Sequence, residues 1–120
     1  MAIAAGAVIS AADILAGLVV ADDWTTFTTS PAGSGAYRKV GSFVEVTFET
    51  TANVSEAGVA TIFTLPTGYQ PGRMVTLAAS GGVDGDREAN GQIDTAGVIS
   101  VRNNYSSATV VQGYALFVAA

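Results

Sequence analysis

The densest group of residues able to do chemistry is Asp84-Gly85-Asp86-Arg87-Glu88-Ala89-Asn90-Gly91, which sets three carboxylates at alternate positions. Alternating oxygen ligands are what a calcium loop uses, and an EF-hand also needs glycine at its sixth position and glutamate at its twelfth. Counted from Asp84, those positions hold Ala89 and Thr95, and Arg87 places a cation among the acids. The acids do not read as a glycosidase pair either, because such a pair spans a cleft with one carboxyl kept protonated. The chain has no histidine and no cysteine. A Ser-His-Asp triad, a thiolate metal site and a disulfide framework are therefore all excluded. No glycine-rich phosphate loop with its lysine occurs. The reading is of a protein that is not an enzyme and needs no cofactor or metal, with Asp84, Asp86 and Glu88 as candidates for binding on a polar loop over residues 81–91.

A second candidate surface is Asn103-Asn104-Tyr105-Ser106-Ser107. It is polar and turn-prone, and it combines an aromatic ring with the amides and hydroxyls that binding loops favour. Sugar C–H faces stack on aromatic rings, so Trp24, Tyr37, Tyr69, Tyr105 and Tyr114 are weighed together as a carbohydrate platform. Most of them read as core or interface, and Tyr105 is the exposed candidate. Asn53-Val54-Ser55 and Asn104-Tyr105-Ser106 fit the N-glycosylation pattern, which is a weak three-residue signal.

Composition narrows the partners. Net charge is −5 with five basic residues in all. A phosphate backbone needs a basic stripe, and none exists, so nucleic acid is not expected. An acidic surface does not favour anionic lipid. Charged residues make up only 12% of the chain and hydrophobic residues 49%, against about 25% charged in an average soluble domain. Surplus apolar surface of this kind is buried by homo-oligomerisation.

The framework that carries these residues is read mostly as strands. Residues 1–21 are almost wholly apolar, but they lack a basic start and Asp13 interrupts the run. They read as an N-terminal arm and short helix of the mature protein, not as a signal peptide or membrane span. Ser10 caps that helix, and Ile14, Leu15, Leu18 and Val19 share one face of it, with Trp24 following. Beyond it, Val44, Val46 and Phe48 alternate with Glu45, Thr47 and Glu49, a half-buried strand with a wet face. Strands are also expected over 24–29, 59–65, 74–79, 98–102 and 110–118, and Asp94-Thr95-Ala96-Gly97 makes a hairpin turn. This spacing predicts an all-β, antiparallel β-sandwich, jelly-roll-like, preceded by the short helix. The domain organisation is 1–23 for the assembly arm and 24–120 for the head.

The clearest local signal is Leu65-Pro66-Thr67-Gly68-Tyr69-Gln70-Pro71. Pro66 and Pro71 fix φ, Gly68 supplies a conformation other residues resist, and Leu65 and Tyr69 are large enough to plug the corner into a core. This segment resembles the Leu-Pro-x-Gly-Tyr-x-Pro turn of the small β-sandwich head domains that end many bacteriophage tail fibres and baseplate proteins. The similarity runs over roughly residues 10–118. Ser10 to Val20 followed by Trp24, Tyr37-Arg38-Lys39-Val40, Gly58 through Pro71, and Ile93-Asp94-Thr95-Ala96-Gly97-Val98-Ile99 occur in the order such heads show. The resemblance implies an antiparallel β-sandwich, a homotrimer, a place in the extracellular phage particle beside other virion proteins, and recognition of host-surface saccharide. Only 23 residues precede Trp24, fewer than the shaft such heads usually follow. The N-terminal segment is therefore expected to plug directly into a virion partner, or the chain to be a trimeric capsid decoration protein. A carbohydrate-binding module is the reading from a different class.

Overall fold

The computed structural model describes residues 21–120, which form eight strands and no helix. They are β1 (Thr25–Thr28), β2 (Gly33–Val40), β3 (Phe43–Thr50), β4 (Val59–Thr64), β5 (Val75–Gly81), β6 (Arg87–Ile93), β7 (Val98–Asn103) and β8 (Val111–Val118). All pairings are antiparallel, in the order β1-β2-β3-β8-β5-β6-β7-β4. The all-β, antiparallel expectation is met. The strands form one continuous sheet, however, not two separate ones, because β5 pairs with β8 on one side and β6 on the other. The sheet curls until its outermost strands meet. Ser30 N–H donates to Ile62 C=O at 3.1 Å, and the Phe27 and Phe63 rings stack 4.1 Å apart. The result is a nearly closed, barrel-like sheet. The short helix proposed for Ser10 to Val20, with Ile14, Leu15, Leu18 and Val19, lies outside the described residues.

Alternation builds the core. β3 buries Val44, Val46 and Phe48 and turns Phe43, Glu45, Thr47 and Glu49 outward. β8 buries Val111, Ala115 and Phe117. From the other half come Ile62, Leu77, Ile93, Ile99 and Val101, all fully or almost fully buried. Each such side chain stabilises the fold by about 1.5–3 kcal/mol relative to exposure. β8 carries glycine inward at Gly113, where a Cβ would stand 2.6 Å from the Phe48 ring. The core here is closed by a ring against backbone.

Strand direction sorts the connections into two ends. One end holds the β2–β3 turn, the β4–β5 corner, the β6–β7 turn, the C-terminus and Ala21, which bridges Val40. We call this the terminus end. The opposite end holds the connections 29–32, 51–58, 82–86 and 104–110. We call this the loop end. Strands of six to eight residues separate them by about 20–25 Å.

At the terminus end the Leu65–Pro71 corner is plugged. Tyr69 N–H donates to Pro66 C=O at 3.1 Å, and Gly68 takes φ +95°, the left-handed value that the third residue of this turn requires. Leu65 is buried, and its N–H donates to Gly97 C=O at 2.9 Å. Tyr69 packs edge-on against Tyr37 with ring centres 4.8 Å apart. Pro71 is buried and bridges Ala119.

Candidate functional site

The two loops singled out in the sequence converge at the loop end. Asn104 N–H donates to Glu88 C=O at 3.1 Å, and the Asn104 side-chain amide donates to Asn90 Oδ1. Asp84 and Asp86 are exposed on the 82–86 turn, and Glu88 and Asn90 are exposed on β6. The polar loop is therefore shorter than expected. Arg87–Ile93 is strand β6, with Glu88, Asn90 and Gln92 facing out and Gly91 and Ile93 facing in.

Arg87 ties the connections together. Its Nη1 donates to Thr109 Oγ1 at 3.0 Å, and its guanidinium lies 4.7 Å from the centre of the Tyr105 ring. A cation over an aromatic face at this distance is attractive by about 0.5–1 kcal/mol. Tyr105 is consequently half-buried with one face covered, not the open platform read from its neighbours in sequence. Asp84, Asp86 and Glu88 form no metal-ligating group, and none occurs among the described residues.

Asn103 departs furthest from expectation. It is fully buried. Its Nδ2 donates to Val54 C=O (3.0 Å) and Ser107 C=O (2.9 Å), with a longer contact to Ser55 C=O, and its Oδ1 accepts from Tyr105 N–H at 2.9 Å. The side chain is saturated by backbone groups of two loops, so it positions the surface and is not part of it. A buried amide must be satisfied in this way to be tolerated.

A second region was not legible in the sequence as a site. On the outward face of β2, β3 and β8, Glu45 stands between Arg38 and Tyr114. Arg38 Nε donates to Glu45 Oε1 at 2.8 Å, and Tyr114 Oη donates to Glu45 Oε2 at 2.6 Å. These two hydrogen bonds, that from Tyr114 first, hold the Glu45 carboxyl below its ordinary pKa, and the same bond raises the Tyr114 hydroxyl. The Arg38 guanidinium also lies 4.2 Å from the Trp24 ring centre. Trp24, Phe43 and Tyr114 are exposed aromatic rings at this face. Next to Tyr114 runs an open groove of about 720 Å³ lined by Thr26, Ala36, Thr47, Glu49, Gln112 and Tyr114, among others. The sequence signal was the failure of alternation in β8, whose outward positions include Tyr114, Leu116 and Val118 in place of polar residues.

The loop end gathers exposed carboxylates and amides around the half-buried Tyr105 ring and the Arg87 guanidinium, at the end of the sheet opposite residue 21 and Ala120. The described residues therefore form a small all-β unit with polar connections gathered at one end. No protein-family model matches the chain, and no curated protein matches it in sequence.

Proposed function

We propose that this chain is a bacteriophage virion structural protein, a tail-associated fibre or baseplate head that attaches through its N-terminal segment. Its loop end then faces outward and binds host-surface glycans. The observation that carries this reading is the separation of the two ends. Residue 21 and the C-terminus lie at one end, while Asp84, Asp86, Glu88, Asn104 and Tyr105 gather at the other. The Leu65–Pro71 corner, whose sequence carries the resemblance to phage heads, is a plugged turn with Leu65 and Pro71 buried and Gly68 at φ +95°. In this reading the curled sheet is a flattened barrel whose halves oppose each other as in a jelly-roll-like sandwich, and three copies associate.

Quantitative mass spectrometry of purified virions tests it, by counting this chain against the major capsid protein. A few copies to a few tens place it on the tail, as proposed. Hundreds in fixed ratio to the capsid lattice make it a decoration protein. Finding none overturns the virion reading and favours a carbohydrate-binding module.

A further inference from the structure

Two rows of outward side chains cross five strands at the groove beside Tyr114, and the register fixes both. Thr26, Ala36, Thr47, Tyr114 and Ala78 form one row over β1, β2, β3, β8 and β5. Thr28, Ser34, Glu49, Gln112 and Ser80 form the next, nearer the loop end. All of them except Thr28 line the groove. Its lining runs from Thr26 to Tyr114 in sequence, so the described residues build it alone. Four inter-strand steps give a length of about 19 Å, and two rows give a width of about 7 Å. The volume of about 720 Å³ is that of a ligand site.

The two tall side chains in the groove are held in place. Tyr114 is 42% exposed, and its Oη donates to Glu45 Oε2 at 2.6 Å. Tyr114 pairs with Thr47, and Glu45 lies two residues along β3 from Thr47, so this bond runs diagonally over the sheet and fixes the ring at its tip. Gln112 is tied from the loop end, where its Nε2 donates to Gly82 C=O at 3.1 Å. Between them the floor is low, because Ala36, Ala78, Ser34 and Ser80 are small. Thr26, Ser34 and Thr47 present exposed hydroxyls, each a donor and an acceptor, and exposed Glu49 adds a carboxylate that only accepts. No residue lining the groove is basic.

We infer that this groove binds a neutral saccharide chain lying across the strands. The inference extends the glycan-binding part of the function proposed above from the loop end to the sheet face, and it does not rest on the chain's place in a virion. The chemistry of the lining selects the occupant. An acidic or phosphorylated chain would face Glu49 with no cation in the groove to meet it. A protein partner would meet hydroxyls and alanines where the centre of an interface carries large apolar side chains. A neutral saccharide brings hydroxyls to the hydroxyl, amide and carboxylate groups of the two rows, and an apolar C–H face to the Tyr114 ring. The long, narrow outline suits an extended chain. The tethering of Tyr114 and Gln112 also reduces the side-chain freedom lost when a ligand is engaged.

Amide chemical-shift mapping on the isotope-labelled full chain tests this. The probes are cellotetraose, maltotetraose and chitotetraose as neutral saccharides, and tetralysine as a cationic peptide. At least one saccharide is expected to shift the amides of Thr47, Glu49, Gln112 and Tyr114 saturably. Tyr114→Ala, which removes the ring, and Ala78→Phe, which fills the groove from an exposed position, are expected to weaken that binding about tenfold with circular dichroism unchanged. Tyr114→Phe keeps the ring and is expected to keep most of the affinity. Thr61→Ala, exposed on β4 away from the groove, is expected to change nothing. The map of shifted amides does not depend on any variant folding. No saturable shift with any saccharide, or binding indifferent to both Tyr114→Ala and Ala78→Phe, overturns the inference. Shifts confined to 82–86 and 104–107 overturn the groove and leave glycan binding to the loop end. A response to tetralysine alone overturns it in favour of a cationic peptide. The virion reading is judged separately, by the copy number in particles.

Discussion

The two ends of the sheet are held together by different physics. At the terminus end the chain turns through Leu65–Pro71, where Leu65 and Pro71 are buried and Tyr69 is wedged against Tyr37. Apolar volume and restricted φ do the holding. At the loop end no large apolar side chain plugs the two longest connections apart from Val54. A single amide, Asn103, and a single guanidinium, Arg87, tie them by hydrogen bonds and a ring contact. The first arrangement fixes a shape whatever the surface carries. The second lets the outer residues of 82–86 and 104–107 change freely, provided that the two anchors stay. This suits a module that attaches at one end and recognises at the other.

Substitutions should separate the two regimes. Leu65→Ala should cost the most, about 3 kcal/mol, because it leaves a cavity under a corner whose prolines resist collapse. Chemical denaturation should show one cooperative loss, with amide exchange accelerating in β4 and β7 together. Asn103→Ala should cost about 2 kcal/mol, because it removes a buried amide that bonds Val54 C=O, Ser107 C=O and Tyr105 N–H and so joins the two connections. Its signature should be local, with amide exchange rising first in 51–58 and 104–109 while the Leu65 corner stays protected. If the corner loosens equally, the ends are not independent and the comparison fails.

Arg87→Ala should cost about 1 kcal/mol, from one hydrogen bond and one cation–ring contact. Near-ultraviolet circular dichroism should report a freed Tyr105. The smallest effect belongs to the sheet face between the ends. The folded Glu45 carboxyl titrates below its ordinary value of 4.5, held there by Tyr114 and Arg38. Its contribution is therefore present above pH about 4.5 and is lost as pH falls through the lower folded value. The Arg38–Glu45 pair is only partly buried and stays in contact with water, so the amplitude is about 0.5 kcal/mol. Tyr114→Phe should flatten most of that slope in melting curves recorded between pH 5 and 3. An unchanged slope would assign the acid sensitivity elsewhere.

Much of the frame was legible because it is written locally. The Leu65–Pro71 corner follows from φ restriction and two large side chains. β3 follows from strict alternation, and the Asp94–Gly97 turn from its residue types, with Asp94 Oδ1 accepting from Ala96 and Val98 N–H at 3.0 Å. Elements set by non-local pairing were not legible. β2 is Gly-Ser-Gly-Ala-Tyr-Arg-Lys-Val, with little alternation, and is a strand because β1 and β3 flank it. The inner positions of β6 are small, so in sequence its alternation reads as a uniformly polar loop. The joining of both halves into one sheet depends on β8 inserting between β3 and β5, which no local pattern announces. Asparagine beside a turn is usually exposed, and only the register puts Asn103 on the inward side of β7. Loop residues Asn104 and Glu88 were placed near each other only by the fold.

In the proposed virion arrangement the terminus end is attached and the loop end is free. The absence of cysteine makes single-cysteine labelling a clean probe. Ser42→Cys lies in the β2–β3 turn at the terminus end, and Ser106→Cys lies at the loop end, both at exposed positions. Maleimide labelling of virions carrying each variant is the most direct measurement. Ser106→Cys should react as fast in the particle as in free protein, while Ser42→Cys should be protected. Protection of Ser106→Cys with free reaction at Ser42→Cys would contradict it.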